Sequence, residues 1–302
     1  QIYIGTYNGL CRYVQASGKF ENILLPVNRG GSNLFVNSLL EDTTRQCIWI
    51  GMEGYLFQYN PTTGEMKAIE VFHNNSIKSL ALDGDENLLA GTDNGLYVYQ
   101  NDKEPLQHII HDSRNIQSLT NNIIWNIFSD QEHNIWLGTD YGISLSRYNS
   151  ALQFVPISQI TGTGDGNQFY SLFRDSKGFY WFGGTNGVIR FTHPAGNKHD
   201  AIWYRMGDKK HPLSHNRIRH IYEDREQQLW IATDGSINRY DYNTHQFVHY
   251  NIVDSTGTYN TNWAYYLFED TDGKLWIATC LGGIFVVDKH KLIQSAGKSY
   301  VA

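Results

Sequence analysis

The chain has 302 residues, of which 41% are apolar and 14% aromatic, and a formal net charge of −6. That is enough apolar side chain for a sizeable core, in one large domain or two ordinary ones. A mildly acidic chain with no basic block excludes broad attraction to nucleic acid or an anionic membrane, and no apolar run reaches the length of a membrane span or marks a signal peptide.

In chain order, one pattern returns seven times. It begins as "IYIGTYNGLCRY" and comes back as "EDTTRQCIWIGMEGYLFQY", "LDGDENLLAGTDNGLYVY", "SDQEHNIWLGTDYGISLSRY", "RDSKGFYWFGGTNGVIRF", "EDREQQLWIATDGSINRYD" and "EDTDGKLWIATCLGGIFVVD". Aligning on one small residue gives Gly5, Gly51, Gly91, Gly138, Gly183, Ala232 and Ala278, spaced 46, 40, 47, 45, 49 and 46 apart. A period of ~45 residues built from short alternating strands is the mark of a propeller blade. No stretch sustains apolar positions at helical spacing between capping signals, so helix content should be very low.

One repeat reads as four strands. "NNIIWNIFSD" (121–130) is the inner strand, "IWLGT" (135–139) the second, "ISLSRY" (143–148) the third and "LQFVPI" (152–157) the outer. Seven copies predict an all-β fold, a seven-bladed β-propeller of four-stranded antiparallel blades forming a single domain over residues 1–302. The blades fall near 1–33, 34–74, 75–118, 119–163, 164–212, 213–258 and 259–302. The first repeat starts at its second strand, so blade 1 lacks its inner strand: it is three-stranded, or it is completed by chain outside this sequence. The first residues already lie inside a repeat, which reads as a piece of a longer protein. After Val287 the tail is long enough for an outer strand and little more.

The repeated residues have scaffold reasons. Asp42, Asp130, Asp175, Asp224 and Asp270 can each accept backbone N–H bonds within a tight turn, and Gly178 and Gly273 supply a positive φ where it is needed. Trp49, Trp136, Trp181, Trp230 and Trp276 should fill the wedge between neighbouring blades. The small residue that follows allows close backbone approach. Thr6, Thr92, Thr139, Thr185, Thr233 and Thr279 suit a strand end that hydrogen-bonds locally. The three cysteines, Cys11, Cys47 and Cys280, lack metal-ligand spacing and read as isolated thiols, with Cys11 and Cys47 packed on strands. His193, His199 and Asp200 read as a solvated polar loop. No metal or other cofactor is expected.

The stretches "NNIIWNIFSDQEHNIWLGTDYGISLSRY" and "TNWAYYLFEDTDGKLWIATCLGGIFVVD" resemble the two-component regulator propeller repeat. The resemblance runs over all seven copies. Ala232 and Ala278 depart from its usual glycine, and "DGDENLLAGT" lacks its tryptophan. What it implies is the periplasmic sensor region of a hybrid two-component system histidine kinase. Such a sensor would bind an oligosaccharide from polysaccharide breakdown, as a homodimer, with a second propeller and a β-sandwich in the same parent chain. No kinase motif lies in this sequence. Neither nucleic acid nor direct membrane contact is expected.

Counting back from the turn aspartate aligns the inner strands. Positions three and six back are apolar throughout, so both faces of the strand should be buried between blades. Five back stand Asn37, Lys78, Trp125, Tyr170, Arg219 and Tyr265, and seven back stand Gln168, Arg217 and Trp263 beside Phe35, Ser76 and Ile123. In propellers these positions open beside the central channel, where loop residues Asp140, Tyr141 and Asp234, along with Tyr7, Asn8, Glu53, Asp93, Asn94 and Asn186, should join them. Flat rings suit the C–H faces of pyranoses, while amides, carboxylates and guanidinium forks suit hydroxyls, a uronate or a sulfate. The alternative is a polar lining of a wet channel. An oligosaccharide-binding sensor with no chemistry of its own is the leading reading. The others are a carbohydrate-active lyase or glycosidase and a protein-interaction platform. His220, the one inner-strand histidine that could serve a lyase, aligns with Ser38, Ser79, Asn126, Ser171 and Tyr266 and reads as a packed side chain.

Overall fold

The computed structural model describes residues 1–27, 34–69, 75–100, 107–149, 155–156, 168–192, 200–210, 212–297 and 300–302. His193 and His199 lie outside the described residues, as does most of the expected outer strand 152–157. The chain divides into two compact units, residues 1–140 with 144–155, and residues 141–143 with 156–302.

The first unit opens with a three-stranded sheet of β1 (Ile2–Thr6), β2 (Gly9–Val14) and β3 (Lys19–Ile23). Two four-stranded sheets follow. One is β4 (Val36–Asp42), β5 (Cys47–Met52), β6 (Tyr55–Tyr59) and β7 (Met66–Ile69); the next is β8 (Ile77–Leu82), β9 (Leu88–Thr92), β10 (Gly95–Tyr99) and β11 (Gln107–Ile109). The fourth sheet is β12 (Ile124–Ser129), β13 (Ile135–Thr139), β14 (Gly142–Ser146) and β15 (Val155–Pro156).

The second unit holds β16 (Phe169–Arg174), β17 (Tyr180–Gly184), β18 (Gly187–Phe191) and β19 (Ile202–Tyr204), then β20 (Ile218–Glu223), β21 (Leu229–Thr233), β22 (Ser236–Asp241) and β23 (Gln246–Tyr250). A short β24 (Ile252–Val253) leads to a three-stranded sheet of β25 (Ala264–Glu269), β26 (Lys274–Thr279) and β27 (Ile284–Asp288). The seven main sheets are the blades of an all-β propeller, and blade 1 has three strands, as expected. Among the described residues no helix is long and apolar enough to cross a membrane. The cysteines are free thiols, with Cys11 on β2 and Cys47 on β5.

The turn aspartates do two jobs, with Asp42 taking its backbone bond from the Arg45 N–H, three residues on, at 2.9 Å. One carboxylate oxygen accepts the backbone N–H groups two and four residues on, at 2.8–3.0 Å, in the turns of Asp83, Asp130, Asp175, Asp224 and Asp270. The other accepts the indole N–H of the blade's tryptophan, at 2.7–3.0 Å, from Trp49, Trp136, Trp181, Trp230 and Trp276. A buried carboxylate and a buried indole thereby satisfy each other, which neither could do alone without a penalty. In blade 3, where Leu89 stands in the tryptophan position, Asp83 Oδ2 still accepts the Asn87 amide at 2.9 Å, the bond that Asn134 makes to Asp130 beside Trp136 in blade 4. Three of the rings fill wedges as anticipated: Trp49 packs with Ile77, Leu80 and Leu88 of the next blade, Trp181 with Ile218 and Ile221, and Trp230 with Leu267 and Ile277.

The small residue after the tryptophan lies under the next inner strand. A Cβ on Gly51 would sit 2.6 Å from Ile77 Cγ2, and one on Gly91 2.7 Å from Ile124 Cγ2. Where the sequence departs to Ala232, the partner column departs too: Ala264 stands where other blades carry a larger side chain, and the two share one core cluster.

Two expectations need correction. Thr185 does not stand in the threonine column. Gly183 and Gly184 pair with Val188 and Gly187, so Gly184 occupies that column and Thr185 falls one place later, its N–H donating to Gln168 O at 3.0 Å. Thr6, Thr92, Thr233 and Thr279 do close their loops as anticipated, each donating to a carbonyl and accepting an amide N–H. The tail after Val287 supplies no outer strand. It forms α1 (Lys289–Gln294), capped by Asp288, followed by β28 (Tyr300–Val301), which pairs in parallel with β24. The reason is electrostatic as well as apolar. Lys289 Nζ, buried, donates to Glu269 Oε1 at 2.7 Å and lies 3.2 Å from Asp224 Oδ2, while Leu292 joins the core of blades 6 and 7.

Candidate ligand-binding site

The side chains five residues before the turn aspartate share a backbone cause. All six inner strands among the described residues carry a register shift at that place. It falls between Val36 and Ser38, Ile77 and Ser79, Ile124 and Asn126, Phe169 and Ser171, Ile218 and His220, and Ala264 and Tyr266. The residue left over each time is Asn37, Lys78, Trp125, Tyr170, Arg219 or Tyr265. A bulge breaks the strict alternation of the strand and re-aims one side chain. The break in the apolar column is therefore the sequence trace of a conserved-by-repeat backbone event that the sequence itself did not reveal.

The residue after each bulge serves the scaffold. The inner strand is the edge of its own sheet, so its outward N–H groups need partners from elsewhere. Ser38 Oγ accepts the Leu80 N–H at 3.1 Å, Ser79 Oγ that of Ile127 at 3.0 Å, and Ser171 Oγ that of Ile221 at 2.9 Å. His220 Nδ1 plays the same part for Leu267, at 3.2 Å, with its ring stacked 4.0 Å from Tyr266. Burial pushes the His220 pKa down to about 3. It is a neutral acceptor at a blade seam.

In the first unit the bulge residues satisfy one another. Trp125 donates its indole N–H to Asp140 Oδ1 at 3.0 Å, and Lys78 Nζ stands 4.5 Å from the centre of the same ring. Asn37 Nδ2 donates to Ile77 O at 3.0 Å, across the seam to the next blade.

In the second unit a larger group gathers on Asp234. Arg219 grips its carboxylate with two bonds, Nε to Oδ1 at 2.7 Å and Nη2 to Oδ2 at 3.2 Å. The guanidinium lies 4.4 Å from the Tyr265 ring centre and 5.8 Å from that of Tyr170. Burial alone would lower the Arg219 pKa, but the bond to Asp234 outweighs it and the pKa is raised. Burial likewise raises the Tyr265 hydroxyl, against the opposing pull of Arg219. Tyr170 donates its hydroxyl to Gln168 Oε1.

The seven-back residues flank this pair. Arg217 Nη1 stands 4.0 Å from Asp234 Oδ2, and the arginine side chain is 45% exposed. Trp263 is 48% exposed and holds φ at 54°, a left-handed conformation that costs a bulky residue roughly 1–3 kcal/mol. Its N–H donates to Asp234 O at 3.1 Å, and its O accepts the Cys280 N–H at 3.0 Å. The strain is thus held from both sides, with the indole left facing out. Tyr141 is 51% exposed. So Gln168, Tyr170, Arg217, Arg219, Asp234, Trp263 and Tyr265 form one neighbourhood in the second unit, and Lys78, Trp125 and Asp140 form another in the first.

A family model described as two-component regulator propeller matches residues 118–141, 163–186, 212–235 and 258–280. Two solved structures of an extracellular domain from B. thetaiotaomicron are 82% and 83% identical to this chain over 99% of its length; one describes a one-component system and the other a hybrid two-component system. The chain spans 40% of the length of those chains, and the TM-score is 0.48 for each. Virginiamycin B lyase from Staphylococcus aureus matches at 13% identity with a TM-score of 0.65, covering 92% of this chain and 87% of that one, a likeness of fold alone. No curated protein matches the sequence. The four matched segments fall on blades 4 to 7, and each runs from just before an inner strand to the loop after the second strand: the repeats of these four blades are two-component regulator propeller repeats.

Proposed function

We propose that this chain is a ligand-sensing propeller of a two-component sensor, periplasmic and part of a longer kinase-bearing parent with a second propeller and a β-sandwich, acting as a dimer. Its ligand is an oligosaccharide, bound by the Asp234 neighbourhood of the second unit. One observation carries the reading: the repeat spends a β-bulge in each inner strand to turn one side chain off the alternation, and in the second unit those side chains are aromatic rings and a bidentate arginine. Rings for the C–H faces of a sugar and fixed polar groups for its hydroxyls are the components of such a site. The family of the repeats supports the sensor role.

The lyase reading loses its best residue, because His220 is neutral and engaged in holding Leu267. The interaction-platform reading has one observation in its favour. Tyr266, Phe268 and Val286 share a face of the last blade and are 56%, 40% and 39% exposed, a larger apolar display than other inner strands show.

A thermal-shift screen of the protein against pectin, glycosaminoglycan and hemicellulose oligosaccharides tests the proposal. At least one should raise the melting temperature, and Tyr265→Ala should abolish the rise. No shift with any glycan, or a shift that Tyr265→Ala leaves intact, overturns it.

A further inference from the structure

Charge at Asp234 does not balance, and the imbalance has a direction. Two guanidinium groups meet one carboxylate. Arg219 takes both carboxylate oxygens and lies against the Tyr265 and Tyr170 rings, so its charge is matched and its fork is spent. Arg217 reaches the same carboxylate only at 4.0 Å, beyond hydrogen-bond distance, and remains 45% exposed.

The backbone brings Arg217 and Trp263 to the same residue, Asp234. Arg217 O accepts the Asp234 N–H at 3.3 Å, and Asp234 O accepts the Trp263 N–H at 3.1 Å. The backbone of one residue, Asp234, therefore bonds Arg217 through its N–H and Trp263 through its carbonyl. Arg217 is further anchored at its own N–H, which donates to His215 Nδ1 at 3.0 Å. Trp263 is fixed through Cys280 and held in its left-handed conformation. The result is an anchored, half-exposed indole and a loosely paired cation held on the same aspartate, within a chain that is acidic overall.

We infer that this neighbourhood selects a carbohydrate bearing an anionic substituent, a carboxylate or a sulfate, with Arg217 reading the anion and Trp263 stacking on the sugar that carries it. The inference rests on the oligosaccharide reading above and narrows it to acidic glycans. Arg219 contributes by neutralising Asp234, which would otherwise repel the ligand's charge. A bidentate guanidinium–anion contact is both stronger and more directional than a neutral hydrogen bond.

The experiment is calorimetric titration of the protein with three short glycans of matched length: an oligogalacturonide, a sulfated glycosaminoglycan oligosaccharide and a neutral hemicellulose oligosaccharide. Each is run at low and high salt, with Arg217→Gln and Trp263→Ala beside the unaltered protein, all checked for an unchanged melting profile. One acidic glycan should bind at least ~10-fold more tightly than the neutral one, weakening as salt rises; which acidic arm wins distinguishes carboxylate from sulfate. Arg217→Gln should erase the preference for the acidic glycan, and Trp263→Ala should weaken every glycan that binds. If the neutral glycan binds as well as the acidic ones and Trp263→Ala abolishes that binding, the anion inference fails while the oligosaccharide reading stands. If Arg217→Gln keeps the acidic preference, or Trp263→Ala leaves acidic binding intact, the inference fails as well. If no glycan binds at millimolar concentration, both fall.

Discussion

Acid should loosen the seam between the sixth and seventh blades through one histidine. His220 accepts the Leu267 N–H at Nδ1 and stacks on Tyr266, and burial pushes its pKa down to about 3. An unfolded histidine titrates near ~6.5. Between those two values the unfolded chain binds the proton that the folded chain refuses, so stability rises with pH across the window and is lost on acidification. The full separation corresponds to ~5 kcal/mol at about 1.4 kcal/mol per pH unit. His220 is half-buried as a whole residue, so about half of that is the expected size. Ser38, Ser79 and Ser171 make the same seam bond elsewhere, which makes His220→Ser the informative variant: it keeps an acceptor and removes the titration. Urea denaturation from pH 4 to pH 8 reads the difference, since the carboxylates titrate alike in both proteins. His220→Ser should be less stable at neutral pH, having lost the stack on Tyr266, yet its stability should fall less on acidification by roughly 2 kcal/mol. Parallel curves for the two proteins would refute the assignment of His220 as a neutral seam acceptor.

Two further outcomes test the scaffold. A Cβ at Gly183 would overlap Ile218 Cγ2, so Gly183→Ala should cost about 1–3 kcal/mol by overpacking and Ile218→Ala about 2–5 kcal/mol by leaving a cavity. Together they recreate the Ala232–Ala264 pairing of the next seam, and the double variant should be more stable than the sum of the two costs allows; strict additivity in a denaturation cycle would contradict the exchange. Lys289→Met should cost roughly 3–5 kcal/mol, because it strands Glu269 and Asp224 without their buried cation. Burial would raise the Glu269 pKa, but the Arg225 N–H and Lys289 outweigh it and hold it low, so this contribution is present above the ordinary carboxylate range and fades as pH falls through the lowered value. An unchanged melting temperature for Lys289→Met would show that α1 is not tied down by that pair.

The blades were legible because their chemistry repeats out of necessity. An aspartate that must cap a turn and hold an indole, and a small residue under the next strand, cannot drift far, so the pattern survives across seven copies. One exception was hidden by compensation. Ala232 reads as a departure until Ala264 is seen to have shrunk with it. Thr185 was misplaced by one residue because two consecutive glycines blur the column. The helix at Lys289 left no periodic trace; its position is set by carboxylates far back in the chain, a tertiary cause invisible to local pattern. The candidate site was half legible. A column of misfit residues pointed to Tyr170, Arg219 and Tyr265, but that each one sits on a bulge, that Trp125 is spent on Asp140, and that Trp263 is held at a positive φ are properties of backbone geometry alone.

The most direct test of ligand binding at the Asp234 neighbourhood is a crystal structure of the protein with the tightest-binding oligosaccharide from the screen. A pyranose ring is expected against the Trp263 indole, with its polar substituents within hydrogen-bond distance of Arg217 and the Tyr265 hydroxyl. An ordered sugar bound elsewhere on the protein, with Trp263, Arg217 and Tyr265 still facing solvent, would contradict the proposed site.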